Sequence, residues 1–221
     1  MATPRRERSS YVPLVGILAV ALWVVAIVIL EGSTDAPDER APAAEYLQYY
    51  SDDETPLLVG GFIFMLGAVV FLWFLALLRA RLGPAGATAA AAFAGGIAAS
   101  VCLLLLPGAE MAAAISVGED HDVGAEAAQA LHSIPDMFFI GAELSLAVLV
   151  AAVGVASVRT RVLPRWFGWV SLLLALVLLI VPIGWAGMLF AFPLWTIVVS
   201  VLLVLRPGQP AAAPEPSARA A

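Results

Sequence analysis

The chain of 221 residues contains no lysine, one cysteine and two histidines. Because a single thiol cannot build an intramolecular disulfide, a thiolate zinc site or an iron–sulfur cluster, structural redox chemistry within this chain is excluded. Charge is also scarce, since charged residues make up 13% of the sequence, whereas about 25% is usual in soluble domains. Apolar residues reach 62%. This composition predicts a protein whose outer surface is mostly solvated by lipid.

The apolar residues are gathered into six runs, which predict an all-α polytopic transmembrane helix bundle with six spans. As a helix, the first run would extend about 27 Å, close to the ~30 Å thickness of the hydrocarbon core. The predicted spans are residues 13–30, 57–78, 85–106, 135–158, 166–183 and 186–205, with outer loops at 31–55 and 108–134. Residues 1–206 are thus predicted to form one membrane domain, and the Pro- and Ala-rich tail 207–221 to be disordered.

All 11 basic residues are arginines, and ten of them fall on the same side of the membrane when the six predicted spans are placed in order. These ten are Arg5, Arg6, Arg8, Arg79, Arg81, Arg159, Arg161, Arg165, Arg206 and Arg219, and Arg40 is the exception. By the positive-inside rule, both termini are predicted to be cytoplasmic and the protein to lie in the cell membrane. Nucleic acid is disfavoured as a partner, because the arginines form no stripe with aromatic residues.

Small residues recur every four positions in the third predicted span. Gly86, Ala90, Ala94 and Ala98 form one row, and Ala87, Ala91, Gly95 and Ala99 form a neighbouring row. Small residues at this spacing let helix backbones approach closely in lipid, so this helix is predicted to be the central one. Pro107 and Gly108 are predicted to end it.

The outer loop 31–55 contains a cluster of tyrosines at positions 46, 49 and 50. An aromatic ring with a polar tip suits the membrane interface, so this loop is predicted to form a short amphipathic helix at the level of the headgroups. Near the C-terminus, the connection between the fifth and sixth spans is so short that the two should be antiparallel neighbours. Pro193 is predicted to kink the sixth span.

Glu143 is the one ionisable residue well inside a predicted span. It lies seven residues after Asp136, which places it roughly 10 Å below the outer surface. An acid at this depth is a functional-site hypothesis, and it is expected to be neutral and hydrogen-bonded to Ser100 or to a backbone carbonyl near Gly141. Three interpretations stay open: a hydrogen-bonded packing residue, a pocket for a small molecule or cation, and a site of proton transfer.

Asp136 lies one heptad before Glu143 and therefore on nearly the same helix face. The two acids would line an outward-facing cleft, or Asp136 would cap the fourth span in the S-x-x-D pattern that starts at Ser133. Asp120, His121, Asp122 and His132 offer oxygen and imidazole donors, but their spacing matches no recognised metal site, and none is predicted. No cofactor is predicted either, and haem b is disfavoured because neither histidine lies in a span.

Two short motifs carry a resemblance to other proteins: Leu163-Pro164-Arg165-Trp166 before a helical hairpin, and Phe192-Pro193-Leu194-Trp195 in the last helix. Together they resemble a broad group of uncharacterised bacterial six-helix integral membrane proteins, of the domain-of-unknown-function kind. The likeness covers residues 131–205, and in the first half only the number of helices agrees. The resemblance implies a fold, and it implies no activity, cofactor or catalytic residue.

Helix packing and membrane topology explain why most types of residue occur where they do in this chain. They favour a non-enzymatic binding or interaction component of the cytoplasmic membrane, with the lipid bilayer as its surroundings and other membrane proteins or a second copy as candidate partners. The alternative is a small transporter or ligand-binding protein that uses an outward-facing cleft around Glu143.

Overall fold

A computed structural model describes residues 14–38, 40–120 and 123–205, without the side chains at 84, 119 and 120. This part of the chain is helical and contains no strand. Its helices are α1 Val15–Ser33, α2 Ala43–Asp52, α3 Glu54–Leu82, α4 Ala87–Asp120, α5 Ala125–His132, α6 Ile134–Thr160, α7 Arg165–Leu178, α8 Val181–Ala186 and α9 Phe192–Leu205. The predicted disordered tail lies outside the described residues.

Five helical segments of the described chain are long and apolar enough to cross a membrane. They are Val15–Ser33, Glu54–Leu82, Ala87–Gly118, Ala125–Thr160 and Val181–Leu205. The predicted fifth span, α7, has 14 residues, which reach only about 21 Å. The all-helical architecture is therefore confirmed, together with five of the expected spans, and it is consistent with an integral membrane protein.

The predicted end of the third span at Pro107 is wrong. Helix α4 passes through Pro107 and continues to Asp120, so it has 34 residues. Proline removes one helical hydrogen bond, but burial of Ala113, Ala114 and Val117 against α2 favours the longer helix. The predicted outer loop 108–134 is consequently mostly helical, since it contains the end of α4 and all of α5.

Helix α4 packs along both α3 and α6, which confirms its predicted central position. Two glycines of α4 show how close these approaches are. A Cβ atom on Gly95 would lie 2.9 Å from the backbone nitrogen of Leu149 in α6, and one on Gly96 would lie 2.7 Å from Cδ1 of Leu75 in α3.

The small-residue rows predicted to make these contacts are only partly in place. Gly86, just before α4, and Ala90, Ala94 and Ala98 within it are all exposed, so the prediction for the first row is wrong. In the second row, Gly95 and Ala99 are buried, whereas Ala87 and Ala91 are exposed. Spacing alone identified the helix but not the face that packs.

Apart from Arg40, which lies next to α2, and the buried Glu143, the charged residues of the described chain separate by sign toward the two ends of the bundle. One end, the basic end, carries Arg79, Arg81, Arg159, Arg161 and Arg165 at the ends of α3, α6 and α7. The opposite end, the acidic end, carries α2 and α5 together with Glu54, Glu126 and Asp136 in the first turns of their helices. Acids near helix N-termini also interact favourably with the helix dipole.

The C-terminal helices are more broken than predicted. Helix α7 ends at Leu178, α8 follows after two residues, and a π-helical turn, Gly187–Ala191, separates α8 from α9. The π turn ends directly before Phe192 and Pro193, and the kink expected at Pro193 stays a prediction. The indole Nε1 of Trp195 donates a hydrogen bond to Oγ of Ser171 (2.9 Å), which joins α9 to α7.

The close approach of α4 to α6 predicts opposite effects for two glycines of one helix. Gly95→Ala should destabilise the protein by about 1–3 kcal/mol, because the new methyl group would press on the backbone of α6. Gly108→Ala meets nothing within 4 Å and should stabilise it by up to about 1 kcal/mol through helix propensity. Thermal unfolding in detergent measures both. Equal midpoints for the two variants would contradict the packing at Gly95.

Candidate functional site

A cleft of about 590 Å³ opens at the acidic end of the bundle. Its walls come from α1, α3, α4, α6 and the π-helical turn, and the segment after α1 and one side chain of α2 contribute at its rim. The apolar part of the wall includes Ile27, Leu30, Phe64, Leu106, Phe139 and Met188. Volumes of about 300–1,000 Å³ with mostly apolar walls are typical of small-molecule sites.

A smaller cavity of about 40 Å³ continues the cleft toward the middle of the bundle. The two share Ile27, Phe64, Met188 and Leu189 as lining residues, and the smaller one extends to Trp23. The indole nitrogen of Trp23 is buried and has no hydrogen-bond partner among the described residues. The cleft thus narrows into an aromatic and aliphatic interior.

The charged residues that line the described cleft are all acidic. Glu31 and Asp35 lie where α1 ends, and Glu110 lies on α4 across from them. Tyr49 of α2 completes this part of the lining. Burial, followed by the charge of Glu110, raises the pKa of Tyr49 to about 12, so its hydroxyl stays protonated and uncharged at neutral pH.

Glu110 is anchored by a hydrogen-bonded group from three helices. The hydroxyl of Tyr50 donates to Oε2 of Glu110 (2.8 Å) and also lies 3.0 Å from Nδ1 of His132. Because that hydroxyl proton points to Glu110, Nδ1 of His132 acts as the donor toward Tyr50. The same Nδ1 lies 3.7 Å from Oε1 of Glu110. Tyrosine and histidine therefore fix the orientation of a carboxylate that faces the cleft.

The predicted tyrosine belt at the headgroups is wrong, although the predicted short helix exists as α2. Tyr46, Tyr49 and Tyr50 are buried and form a second apolar core with α4 and α5. Their rings surround His132 at centroid distances of 5.0, 5.8 and 6.0 Å respectively. Burial, followed by the charge of Glu110, holds the pKa of Tyr50 well above its ordinary range.

Glu143 is fully buried, and neither of its carboxylate oxygens has a hydrogen-bond partner among the described residues. The expected bond to Ser100 is not formed, because the hydroxyl of Ser100 donates to the carbonyl of Gly96 in its own helix (2.9 Å). Glu143 lies on α6 between Phe139, which lines the cleft, and Leu146, which lines the smaller cavity. Its carboxylate faces Gly184 of α8 rather than either cavity.

Asp136 is exposed in the first turn of α6, and no capping hydrogen bond from its side chain is formed. Ser133 donates instead to the carbonyl of Ala130 (2.8 Å). Asp136 interacts electrostatically with Glu110 and His132, so it belongs to the acidic end and not to the surroundings of Glu143. Of the candidate metal ligands, His121 and Asp122 lie outside the described residues, and so does the side chain of Asp120. In the remainder, no group of three potential ligands occurs.

Sequence reasoning missed Glu110 because Pro107 was expected to end the helix before it. A signal was present three to seven residues after Glu110, where Ala113, Ala114 and Val117 recur at helical spacing. Such spacing predicts a buried helix face beyond the proline. It also places Glu110 one turn before that face, at the edge of the cleft.

The chain matches no protein-family model, and neither a curated protein nor a solved structure is detectably similar to it. The resemblance to bacterial six-helix membrane proteins therefore stays a prediction. Function has to be inferred from the cleft and from Glu143.

Removal of the Tyr50 hydroxyl should destabilise the protein more than removal of the Tyr46 hydroxyl. Tyr50→Phe takes a donor from a carboxylate, which costs about 1.5–3 kcal/mol. Tyr46→Phe takes a donor from the backbone carbonyl of Asp38 (2.9 Å), which costs about 0.5–1.5 kcal/mol. Chemical or thermal unfolding in detergent ranks the two variants, and the reverse order would contradict the arrangement around Glu110.

Proposed function

We propose that this chain is a ligand-binding protein of the cytoplasmic membrane that takes an amphiphilic organic cation into its cleft from the outer face. The observation that carries the proposal is the pairing of three carboxylates at the cleft with an apolar interior. Glu31, Asp35 and Glu110 supply negative charge, and no arginine lines the described cleft. A ligand with a positive head and an apolar body is complementary to both parts.

The aromatic residues of the cleft support a cationic ligand further. Phe64, Phe139 and Tyr49 line it, and the face of an aromatic ring attracts an organic cation by about 0.5–2 kcal/mol. Deeper in the bundle, the smaller cavity presents Trp23 and Phe192. A flat or branched apolar group would fill this part, while the charged group stays near Glu110.

Binding is favoured over chemical conversion by the state of the two hydroxyl groups in the cleft, since that of Tyr49 stays protonated and that of Thr34 is bonded to the backbone. The lining includes Thr34, whose Oγ1 donates to the carbonyl of Leu30 (2.8 Å). A nucleophilic hydroxyl needs a neighbouring base to take its proton, and this one gives its proton to the backbone. The acids of the cleft act in this proposal as charges and not as general bases.

The proposed orientation places the acidic end outside the cell and both termini inside. It is supported by the arginines of the basic end, since positive residues flank the cytoplasmic ends of membrane helices. In this topology α7 is a short fifth crossing, because α6 ends and α7 begins at the basic end. The six crossings would bring α9 back to that end, where Nη1 of Arg81 donates to the carbonyl of Leu203 (3.4 Å).

Transport of the same cation is a second candidate function. It is favoured by the interrupted segment Val181–Leu205, in which the π turn carries Met188 and Leu189 into the wall of the cleft. Interrupted helices near a binding site are common in secondary transporters. Uptake into proteoliposomes would distinguish transport from binding alone.

Saturable binding of tetraphenylphosphonium to the protein in lipid nanodiscs tests the ligand class. Glu110→Gln should weaken binding about tenfold, which corresponds to ~1.4 kcal/mol. Glu126→Gln, an exposed acid of α5 that does not line the cleft, is the matched control and should leave binding unchanged. The anion tetraphenylborate should not compete. Equal weakening in both variants, or competition by the anion, would contradict the proposal.

Labelling with a membrane-impermeant maleimide tests the orientation. In a Cys102→Ser background, a cysteine in place of Glu126 should react in intact cells, because the acidic end is proposed to face outward. A cysteine in place of Arg161, which is exposed at the basic end, should react only after the membrane is opened. The opposite pattern would invert the topology and place the cleft on the cytoplasmic side.

A further inference from the structure

The carboxyl group of Glu143 and the carbonyl oxygen of Leu178 both lie beside the position that a Cβ atom of Gly184 would occupy. A Cβ atom built on Gly184 would overlap Oε1 of Glu143, and the same point lies 3.2 Å from the oxygen of Leu178. Both groups are therefore crowded against the glycine of α8. Glu143 is also fully buried there.

The carbonyl of Leu178 lacks its usual helical partner. In a continuous helix it would accept a hydrogen bond from the amide of the residue four positions later, which is Pro182. Proline has no amide hydrogen, and α7 ends at Leu178. The carbonyl thus lies at the negative end of the α7 dipole, with an acceptor lone pair available beside Glu143.

Two acceptors next to each other need a hydrogen between them. A charged, unpartnered carboxylate is strongly disfavoured in a buried site, and a carboxyl group there takes up a proton instead. We propose that Glu143 and the Leu178 carbonyl form a buried proton-binding site, in which the protonated carboxyl group donates a hydrogen bond to that carbonyl. This site is separate from the acids of the cleft.

No cation among the described residues competes for this place. Helix α8 has no titratable side chain. Helix α7 has one, Arg165, which lies in its first turn at the basic end. On α4, the uncharged thiol of Cys102 faces α6, since its Sγ lies 3.0 Å from a Cβ atom built on Gly141. Glu110, His132 and Asp136 lie at the acidic end, so Glu143 faces no positive charge from the helices that pack against it.

A proton fits this site better than a metal cation. Hard cations such as Mg²⁺ and Ca²⁺ take six or more oxygen ligands, whereas the geometry places the carboxylate and one carbonyl around the same point. Neither described cavity includes Glu143. One hydrogen bond between the two groups satisfies the geometry without further ligands.

Infrared difference spectroscopy in lipid at about pH 7 tests the proposal. The spectrum of the wild type minus that of Glu143→Gln should contain the C=O stretching band of a protonated carboxyl group. Glutamine has nearly the same shape and can donate to the Leu178 carbonyl, so this variant should fold. Glu126→Gln, at an exposed position, is the control and should not remove the band. Absence of the band from the wild type, or its appearance only when sodium is removed, would overturn the proposal.

A second variant tests the role of the carbonyl. Gly184→Ala would place a methyl group where Oε1 of Glu143 lies, so the carboxyl group should be displaced from the Leu178 carbonyl and its band should move to higher frequency as the hydrogen bond weakens. Gly108→Ala, whose added methyl group meets nothing within 4 Å, is the control and should leave the band in place. An unmoved band in Gly184→Ala, or an equal shift in both variants, would overturn the assignment of Leu178 as the acceptor.

Discussion

The contact of α4 with its two neighbours is the constraint on which the rest of the structure depends. At Gly95 the backbones of α4 and α6 are so close that a Cβ atom would lie 3.0 Å from the carbonyl oxygen of Ser145. In lipid, where no hydrophobic force acts between helices, such close packing is a main source of association. It fixes α6, and with it Glu143, which lies two residues before Ser145. Because α4 is continuous, it also fixes Glu110 beyond Pro107.

Most polar side chains inside the bundle form their hydrogen bonds with the backbone of their own helix. Ser157, Ser171, Thr196 and Ser200 each donate to the carbonyl four residues earlier. Such bonds need no partner from another helix, so they neither join helices nor mark a site. Against this pattern, the buried nitrogen of Trp23 and the two oxygens of Glu143 lack partners among the described residues. The exceptions therefore identify the places where function is to be sought.

The sequence predicted those features that depend on summed properties and missed those that depend on one contact. Hydropathy located five spans, and the interior position of Glu143 followed from its place within one of them. The continuation of α4 past Pro107 was missed because its benefit comes from burial of Val117 and its neighbours against α2, which is distant in sequence. The tyrosines were assigned to an interface for the same reason, since spacing in one helix does not show what covers it.

The interrupted C-terminal segment connects the cleft with the surroundings of Glu143. Gly184, against which Glu143 packs, lies four residues and hence about one helical turn before Met188, which lines both cavities. Between them the helix changes from α to π geometry, an irregularity that is frequent at functional sites. The backbone beside the carboxyl group of Glu143 and the wall of the cleft are therefore parts of one short segment. A shift of α8 relative to Glu143 would therefore also move Met188 and Leu189, which line the cleft.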